Sequence, residues 1–520
     1  MQQRSTPVSR RESCSPPSRL APDGGPLGPT GSVIEVSQGS FRRVLAAVSL
    51  LGAVVAVAAP GAASSAGAAC TLCAGGEYHA VAPVRVFDTR TVASNDVGPI
   101  NDVAPLGAKP IGPTSPSVDV DLLGLGNPSF QNAWLPAGTQ SSDVLAVVAG
   151  ITVASPTSDG YLGVYQPGAR PVVPSAVVNY RTGNTVSNLA ILRPDSNGRI
   201  TLSTFGVAAG TADVYVDVFG WMSTSSYTKG TPDDTSDERG ARLIPIEPKR
   251  IIDTRNDAAP DRPLGPKGVL AVPVRGAVER NGSAVVVPND PNVVGVLINL
   301  TVVRPTANGF VSVLPSAPAV DEVPGTANAV TAPGLVKGTL AMVPVGADGT
   351  VTLYNSAGST NVVIDVMGYL LDGQPEPTRS GRVVPLSTPF RAFDTRDVAF
   401  GAAPLGPGQA EDWSFAAFAA SVNIGGVSVG QQLGVLGNLT NASLARQVPT
   451  ASVTPSYLTV YPSPGAPSTP PLIANLNSVE GAPVGNLALV KYGPNQVVRI
   501  YNSRGYSHYV FDVNAVVLSD

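Results

Sequence analysis

Arg85-Val-Phe-Asp88-Thr89-Arg90 occurs three times in this chain, returning as Arg250-Ile-Ile-Asp253-Thr254-Arg255 and as Arg391-Ala-Phe-Asp394-Thr395-Arg396. A Pro stands two residues before the first Arg of each copy (Pro83, Pro248, Pro389), and a Pro-Leu-Gly follows each (at Pro105, Pro263 and Pro404). Each copy closes on an apolar stretch holding one acid: Val216-Asp217-Val218, Ile364-Asp365-Val366 and Phe511-Asp512-Val513. The motif aspartates lie 165 residues apart (Asp88 to Asp253) and then 141 (Asp253 to Asp394). Solenoid and propeller-blade repeats are much shorter, so each copy reads as a whole domain.

Within a copy the pattern is strand and turn. In the second, Val-, Ile- and Thr-rich segments suited to a pleated surface predict strands near 250–253, 269–274, 283–287, 292–303, 309–314, 338–345, 349–354 and 360–367. Turn residues such as Thr306-Ala-Asn-Gly309 separate them. No helix-length segment of 3.6 period stands out after residue 70. The expected fold is all-β: three tandem antiparallel β-sandwich domains, jelly-roll or Ig-like, at 69–222, 242–370 and 382–520. The segments 223–241 and 371–381 are polar, with Pro, Gly and clustered charge. They read as linkers that let the domains reorient.

The charge content narrows the function. Of 520 residues only 13% are charged, and 33 basic against 37 acidic residues leave a net charge of -4. No basic stripe marks a nucleic-acid footprint. Two His and three Cys exclude most His-based catalysis, multi-His metal sites and a disulfide-dense scaffold. No Gly-x-Ser-x-Gly elbow, His-Glu-x-x-His or phosphate-cradling loop occurs. The expectation is a non-enzymatic chain without metal or cofactor. Carboxylate-pair glycosidase chemistry, which needs no His, is the enzymatic alternative.

In so charge-poor a chain, a recurrent Asp on an apolar terminal strand needs a partner. Only the motif charges recur with it. One reading is a ligand or Ca²⁺ site; the other is an internal clamp, with an Arg of the first strand gripping the late Asp bidentately. Calcium usually takes six to eight oxygens and only one or two acids recur, so the clamp is favoured. The pairs are Arg85 or Arg90 with Asp217, Arg250 or Arg255 with Asp365, and Arg391 or Arg396 with Asp512; Asp88, Asp253 and Asp394 complete the three centres. Asn299 and Asn438 match each other, but the first copy has Gly150. Asn188 and Asn486 match, but the second has Thr339. Asn that satisfies local backbone accounts for such substitutions.

The N-terminal region reads as an address. Residues 1–41 form a polar leader expected to be disordered, with a true start nearer Val33 or Val36. Residues 42–68 read as a signal peptide: Arg42 and Arg43, an apolar core from Val44 to Ala59, then an Ala66-Gly-Ala68 exit. The core is shorter than a spanning helix requires. Export, cleavage and no membrane attachment afterwards are expected. Cys70 and Cys73 then read as a disulfide of an oxidising compartment, with a redox pair or a lipid-modified Cys70 as the weaker alternatives.

The order Arg-x-x-Asp-Thr-Arg, Pro-Leu-Gly-Pro, Asn-Leu-Thr, Asp-Gly-x-Val-x-Leu-Tyr-Asn-Ser and Asp-Val-x-Gly-Tyr resembles a repeat domain of secreted actinobacterial cell-surface proteins. Such domains often accompany peptidoglycan amidases or peptidases, and their own function is uncharacterised. The second copy fits best, through Asn299, Thr301, Asp348, Gly349, Tyr354, Asn355, Asp365, Gly368 and Tyr369. The first ends Gly220-Trp221, and the third ends Asp512-Val-Asn514 without Gly-Tyr. The resemblance implies a cell-surface role and supplies no catalytic residue. The expected partner is cell-wall polysaccharide or peptidoglycan, held weakly by three linked modules whose avidity exceeds that of one. Candidate contact aromatics are Tyr161, Tyr165, Phe310, Tyr457 and Tyr461. The alternatives are a structural spacer or assembly protein and a hydrolase with an unrecognised carboxylate site.

Overall fold

The computed structural model describes residues 74–90, 110–125, 134–171, 175–206, 210–227, 240–256, 262–374, 378–401, 403–416, 427–443, 455–466, 469–478, 481 and 483–520. The leader, the signal segment, Cys70 and Cys73 lie outside them. All the described residues belong to one compact unit, Gly61–Asp520.

The fold is all-β, and the three copies carry the same eight strands. The first holds β1 (Tyr78–Asp88), β2 (Ser117–Asp121), β3 (Val144–Ala154), β4 (Gly160–Tyr165), β5 (Val178–Tyr180), β6 (Val186–Leu192), β7 (Arg199–Phe205) and β8 (Asp213–Ser223). The second holds β9 (Arg242–Asp253), β10 (Gly268–Pro273), β11 (Val293–Val303), β12 (Gly309–Leu314), β13 (Ala329–Thr331), β14 (Val336–Pro344), β15 (Thr350–Asn355) and β16 (Asn361–Leu371). The third holds β17 (Val383–Asp394), β18 (Ala410–Ser414), β19 (Gln432–Ser443), β20 (Ser456–Pro462), β21 (Leu476–Ser478), β22 (Val484–Lys491), β23 (Val497–Asn502) and β24 (His508–Leu518). In the second copy the expected strand at 283–287 is absent, its place taken by a single Val278–Val285 bridge. The short β13 was not foreseen.

Each copy folds into two four-stranded antiparallel sheets. The first copy gives β1-β8-β3-β6 and β2-β7-β4-β5, and the other two repeat that order. The two sheets of a copy share one apolar cluster. The first strand lies at a sheet edge, and its hydrogen-bond register shifts over Ala80–Val84 in β1 and Pro385–Phe390 in β17, and between Pro245 and Lys249 in β9. Pro83, Pro389 and Pro248 fall in these irregularities. Proline has no N–H to give a ladder, and an edge bulge is where it is tolerated.

The long-strand sheets are apolar on both faces. Along β3, Val147, Ala149 and Ile151 point into the cluster of their own copy, while Ala146 and Val148 point the other way. Side chains alternate across a strand, so the outward set needs cover of its own. It finds that cover in a fourth cluster drawn from all three copies, including Leu189 (β6), Leu340 (β14) and Leu487 (β22), at equivalent positions. Fully burying such a side chain stabilises by about 1.5–3 kcal/mol.

Backbone hydrogen bonds join the copies as well. The Tyr78 and Ala241 amides each donate to the other's carbonyl at 2.8 Å, Gly76 and Val383 pair likewise at 2.8 and 2.9 Å, and Leu243 N donates to Gly381 O at 2.8 Å. The three copies thus close a ring. This differs from the expectation that the polar linkers allow some reorientation between domains: apolar surface of each copy is buried against its neighbours.

Candidate functional site

The same construction recurs at the three motif centres. Arg85 is the direct cross-strand neighbour of Asp217, Arg250 of Asp365 and Arg391 of Asp512. Each guanidinium grips its Asp with two hydrogen bonds, from Nε at 2.7, 2.8 and 2.9 Å and from Nη2 at 3.1, 3.2 and 3.2 Å. Its Nη1 reaches the motif Asp: Asp88 at 3.4 Å, Asp253 and Asp394 at 3.2 Å. The motif Asp also accepts from the backbone and guanidinium of the Arg two residues on, Arg90, Arg255 or Arg396. The middle Thr accepts from an amide of the last strand: Val214, Val362 or Tyr509. In the first centre Tyr215 lies under both Arg85 and Arg90, at 4.2 and 4.3 Å. The motif's Asp and Thr are thereby used in closing their own copy, and its last Arg braces the Asp.

Burial pushes the Asp217 and Asp365 carboxyls up, against the pull of Arg85 and Arg250. At Asp253 and Asp394, burial is outweighed by hydrogen bonds and charge from the neighbouring arginines, so these carboxyls lie below the ordinary range. Among the described residues no group of three or more His, Cys, Asp or Glu is placed to hold a metal ion.

Two of the late aspartates also face another copy. Ser175 of the first copy donates to Asp512 of the third at 2.6 Å, and the Ala474 amide of the third hydrogen-bonds Asp365 of the second. On the other side of each late Asp lies Asn299, Asn438 or Gly150. Asn486 Nδ2 donates to Asn299 Oδ1, and Asn188 Nδ2 to Asn438 Oδ1, both at 2.9 Å and both between copies. The asparagines therefore pair across junctions; they do not serve local turns alone. At the remaining junction, between the first and second copies, both members of the pair are replaced. Gly150 is covered by the Phe219 ring, and the Thr339 hydroxyl has no hydrogen-bond partner. The substitutions that favoured a local role fall together at one junction, and that pairing was the overlooked signal.

Where the first strands of the copies meet, Glu77 Oε1 accepts from Arg242 Nε at 3.0 Å and from Arg382 Nε at 3.1 Å. The three side chains are 6%, 1% and 8% exposed, one from each copy. Beside them His79 stacks on Trp221, with ring centroids 4.5 Å apart, and its Nε2 lies 2.9 Å from Ser223 Oγ. Burial lowers the His79 pKa to about 4. Sequence reasoning passed over this cluster because its acid occurs in one copy alone: the position of Glu77 is Arg in the other two.

The candidate aromatics do not form one set. Tyr461 is buried. Tyr161 stacks on Phe205 at 5.3 Å, and Phe310 packs near Tyr354. Tyr457 lines a groove between the second and third copies, whereas Tyr165 borders only narrow gaps between the first and third.

No family model matches the chain, and no curated protein matches it. Among solved structures it is similar to the N-terminal CBM22-1-CBM22-2 tandem domain of Paenibacillus barcinonensis Xyn10C, at 12% identity over 44% of this chain and 79% of that one, with a TM-score of 0.14. It is also similar to a triple-jelly-roll turret protein of an archaeal virus, at 10% identity over 85% and 90% of the two chains, TM-score 0.15. A chain of Sulfolobus Turreted Icosahedral Virus matches at 10% identity over 84% and 92%, TM-score 0.14. TM-scores this low carry no argument about fold or function.

Proposed function

We propose that this is a secreted, non-catalytic cell-surface protein of the actinobacterial repeat type, whose three copies form one platform that holds wall polysaccharide. The observation that carries the proposal is that the recurrent charges are spent on closing each copy and, at Asp365 and Asp512, on docking the next. The motif then serves a scaffold, and recognition falls to the surface between and around the copies. The strand order 1-8-3-6 facing 2-7-4-5, with one apolar cluster shared by the two sheets, supports reading each copy as an eight-stranded jelly-roll sandwich. The Arg42–Arg43 flank and apolar core support export.

The test is sedimentation of the exported chain with purified cell walls, before and after polysaccharide digestion. Retention that disappears on digestion is expected. No retention by untreated walls favours the second reading, a structural spacer or assembly protein, which the junction contacts of Asp365 and Asp512 also suit. The full-length chain found only in the cytosol overturns both.

A further inference from the structure

We propose that the groove between the second and third copies is a binding site for a neutral oligosaccharide, one per chain. The proposal rests on the polysaccharide-binding reading and gives it a location. The groove has a volume of about 850 Å³, within the roughly 300–1,000 Å³ of small-ligand sites. The largest counterpart described at the first–second junction is about 290 Å³, and the gaps at the third–first junction are about 40 and 20 Å³. Among the described cavities, only this one admits a chain of sugar rings.

The wall chemistry selects the ligand. On the side of the second copy, Lys249 lies between Glu247 and Glu279, at 3.8 and 3.7 Å. Arg250 and Arg255 share Asp253, and Arg250 also holds Asp365. With Arg280, four cations and three acids line this side, and the fully buried Asp365 behind Arg250 supplies a fourth acid. A wall so balanced offers little attraction to a phosphate or a uronate, and suits an uncharged ligand rich in hydroxyls.

On the side of the third copy, Tyr457 presents a half-buried ring, flanked by Tyr501 at 6.2 Å between centroids. A tyrosine ring offers an apolar face and a polar tip, the pairing a pyranose needs for its C–H face and its hydroxyls. Pro462, Pro464 and Pro471 fix backbone angles along this wall, so little conformational freedom is lost on binding. Leu472, 71% exposed, sits on the rim. Asn477 lies on the lining, and its Oδ1 has no hydrogen-bond partner.

The experiment is calorimetric titration of the exported chain with soluble neutral hexasaccharides of glucose, galactose, mannose and N-acetylglucosamine. Polygalacturonate and a proline-rich peptide serve as charged and protein comparators. Wall sedimentation is run beside it. The expected result is binding of at least one neutral hexasaccharide at one site per chain, little changed by salt. Tyr457→Ala and Leu472→Arg should weaken it tenfold or more, and Tyr161→Ala, at the equivalent position of the first copy, should leave it unchanged. Leu472 is exposed, so its substitution keeps the test independent of folding. Neutral binding untouched by both groove variants overturns the location and leaves the polysaccharide reading standing. Preference for polygalacturonate or the peptide overturns the ligand class. If walls retain the chain but no neutral hexasaccharide binds, the groove proposal alone fails; if neither occurs, both fail.

Discussion

Glu77→Ala removes a carboxylate that two buried arginines share. Arg242 and Arg382 both donate to Glu77 Oε1, at 3.0 and 3.1 Å, and none of the three side chains is more than 8% exposed. Removing one partner from a buried ion pair typically costs about 3–5 kcal/mol, because the remaining charge is left uncompensated in a poorly solvated site. Arg242 keeps its hydrogen bond to Thr378 Oγ1 at 2.8 Å, and neither arginine is left without a partner, so the lower part of that range is expected. Equilibrium urea unfolding measures it as the shift in midpoint multiplied by the slope. In variants that keep Trp221 of the first copy or Trp413 of the third as the single tryptophan of the three, fluorescence reads the two copies separately, and both should show the same loss. Replacing Arg242 and Arg382 with Met alongside Glu77→Ala should recover most of the stability, since an apolar set of similar volume removes the charges altogether. A Glu77→Ala midpoint unchanged within error would refute the reasoning, as would a loss seen by Trp221 alone.

Three further outcomes follow from the same contacts. Asp365→Ala leaves the Arg250 guanidinium without its bidentate partner and should cost about 3–5 kcal/mol; Trp221, in a different copy, should report that loss in urea unfolding. Gly150→Asn places a Cβ 2.9 Å from the Phe219 ring, and this overpacking should cost about 1–3 kcal/mol in the same assay despite matching Asn299 and Asn438. The His79 pKa of about 4 lies below its ordinary 6.5, so the folded chain binds fewer protons than the unfolded chain between those values. The stability this confers is complete above pH 6.5 and is lost as pH falls toward 4, about 3 kcal/mol in all. A His79→Gln variant should lose correspondingly less between pH 7 and pH 4.5, while Asp253 and Asp394 add their loss only at more acid pH.

The sequence disclosed the repeat and its strands because both rest on local signals. Period-2 runs such as Gly309–Leu314 appear as strands at the predicted bounds, and the Arg-x-x-Asp-Thr-Arg segment with its late Asp stood out against a charge-poor chain. The ring was harder to see. Its signature is that strands such as β3 and β8 are apolar on both faces, and a continuous apolar run does not distinguish a second buried face from strong strand propensity. The Glu77–Arg242–Arg382 cluster was invisible for a different reason. Comparing copies finds what all three share, and this cluster works because one of its three equivalent positions carries Glu where the other two carry Arg. The Gly150 and Thr339 exchanges looked like tolerance until both fell at one junction.

The central claim is that three repeated units form one body, and differential scanning calorimetry of residues 69–520 tests it directly. One transition, with calorimetric and van't Hoff enthalpies equal, is predicted, and Glu77→Ala should move that transition as a whole. Two or three separable transitions, with only one moved by the substitution, would contradict it.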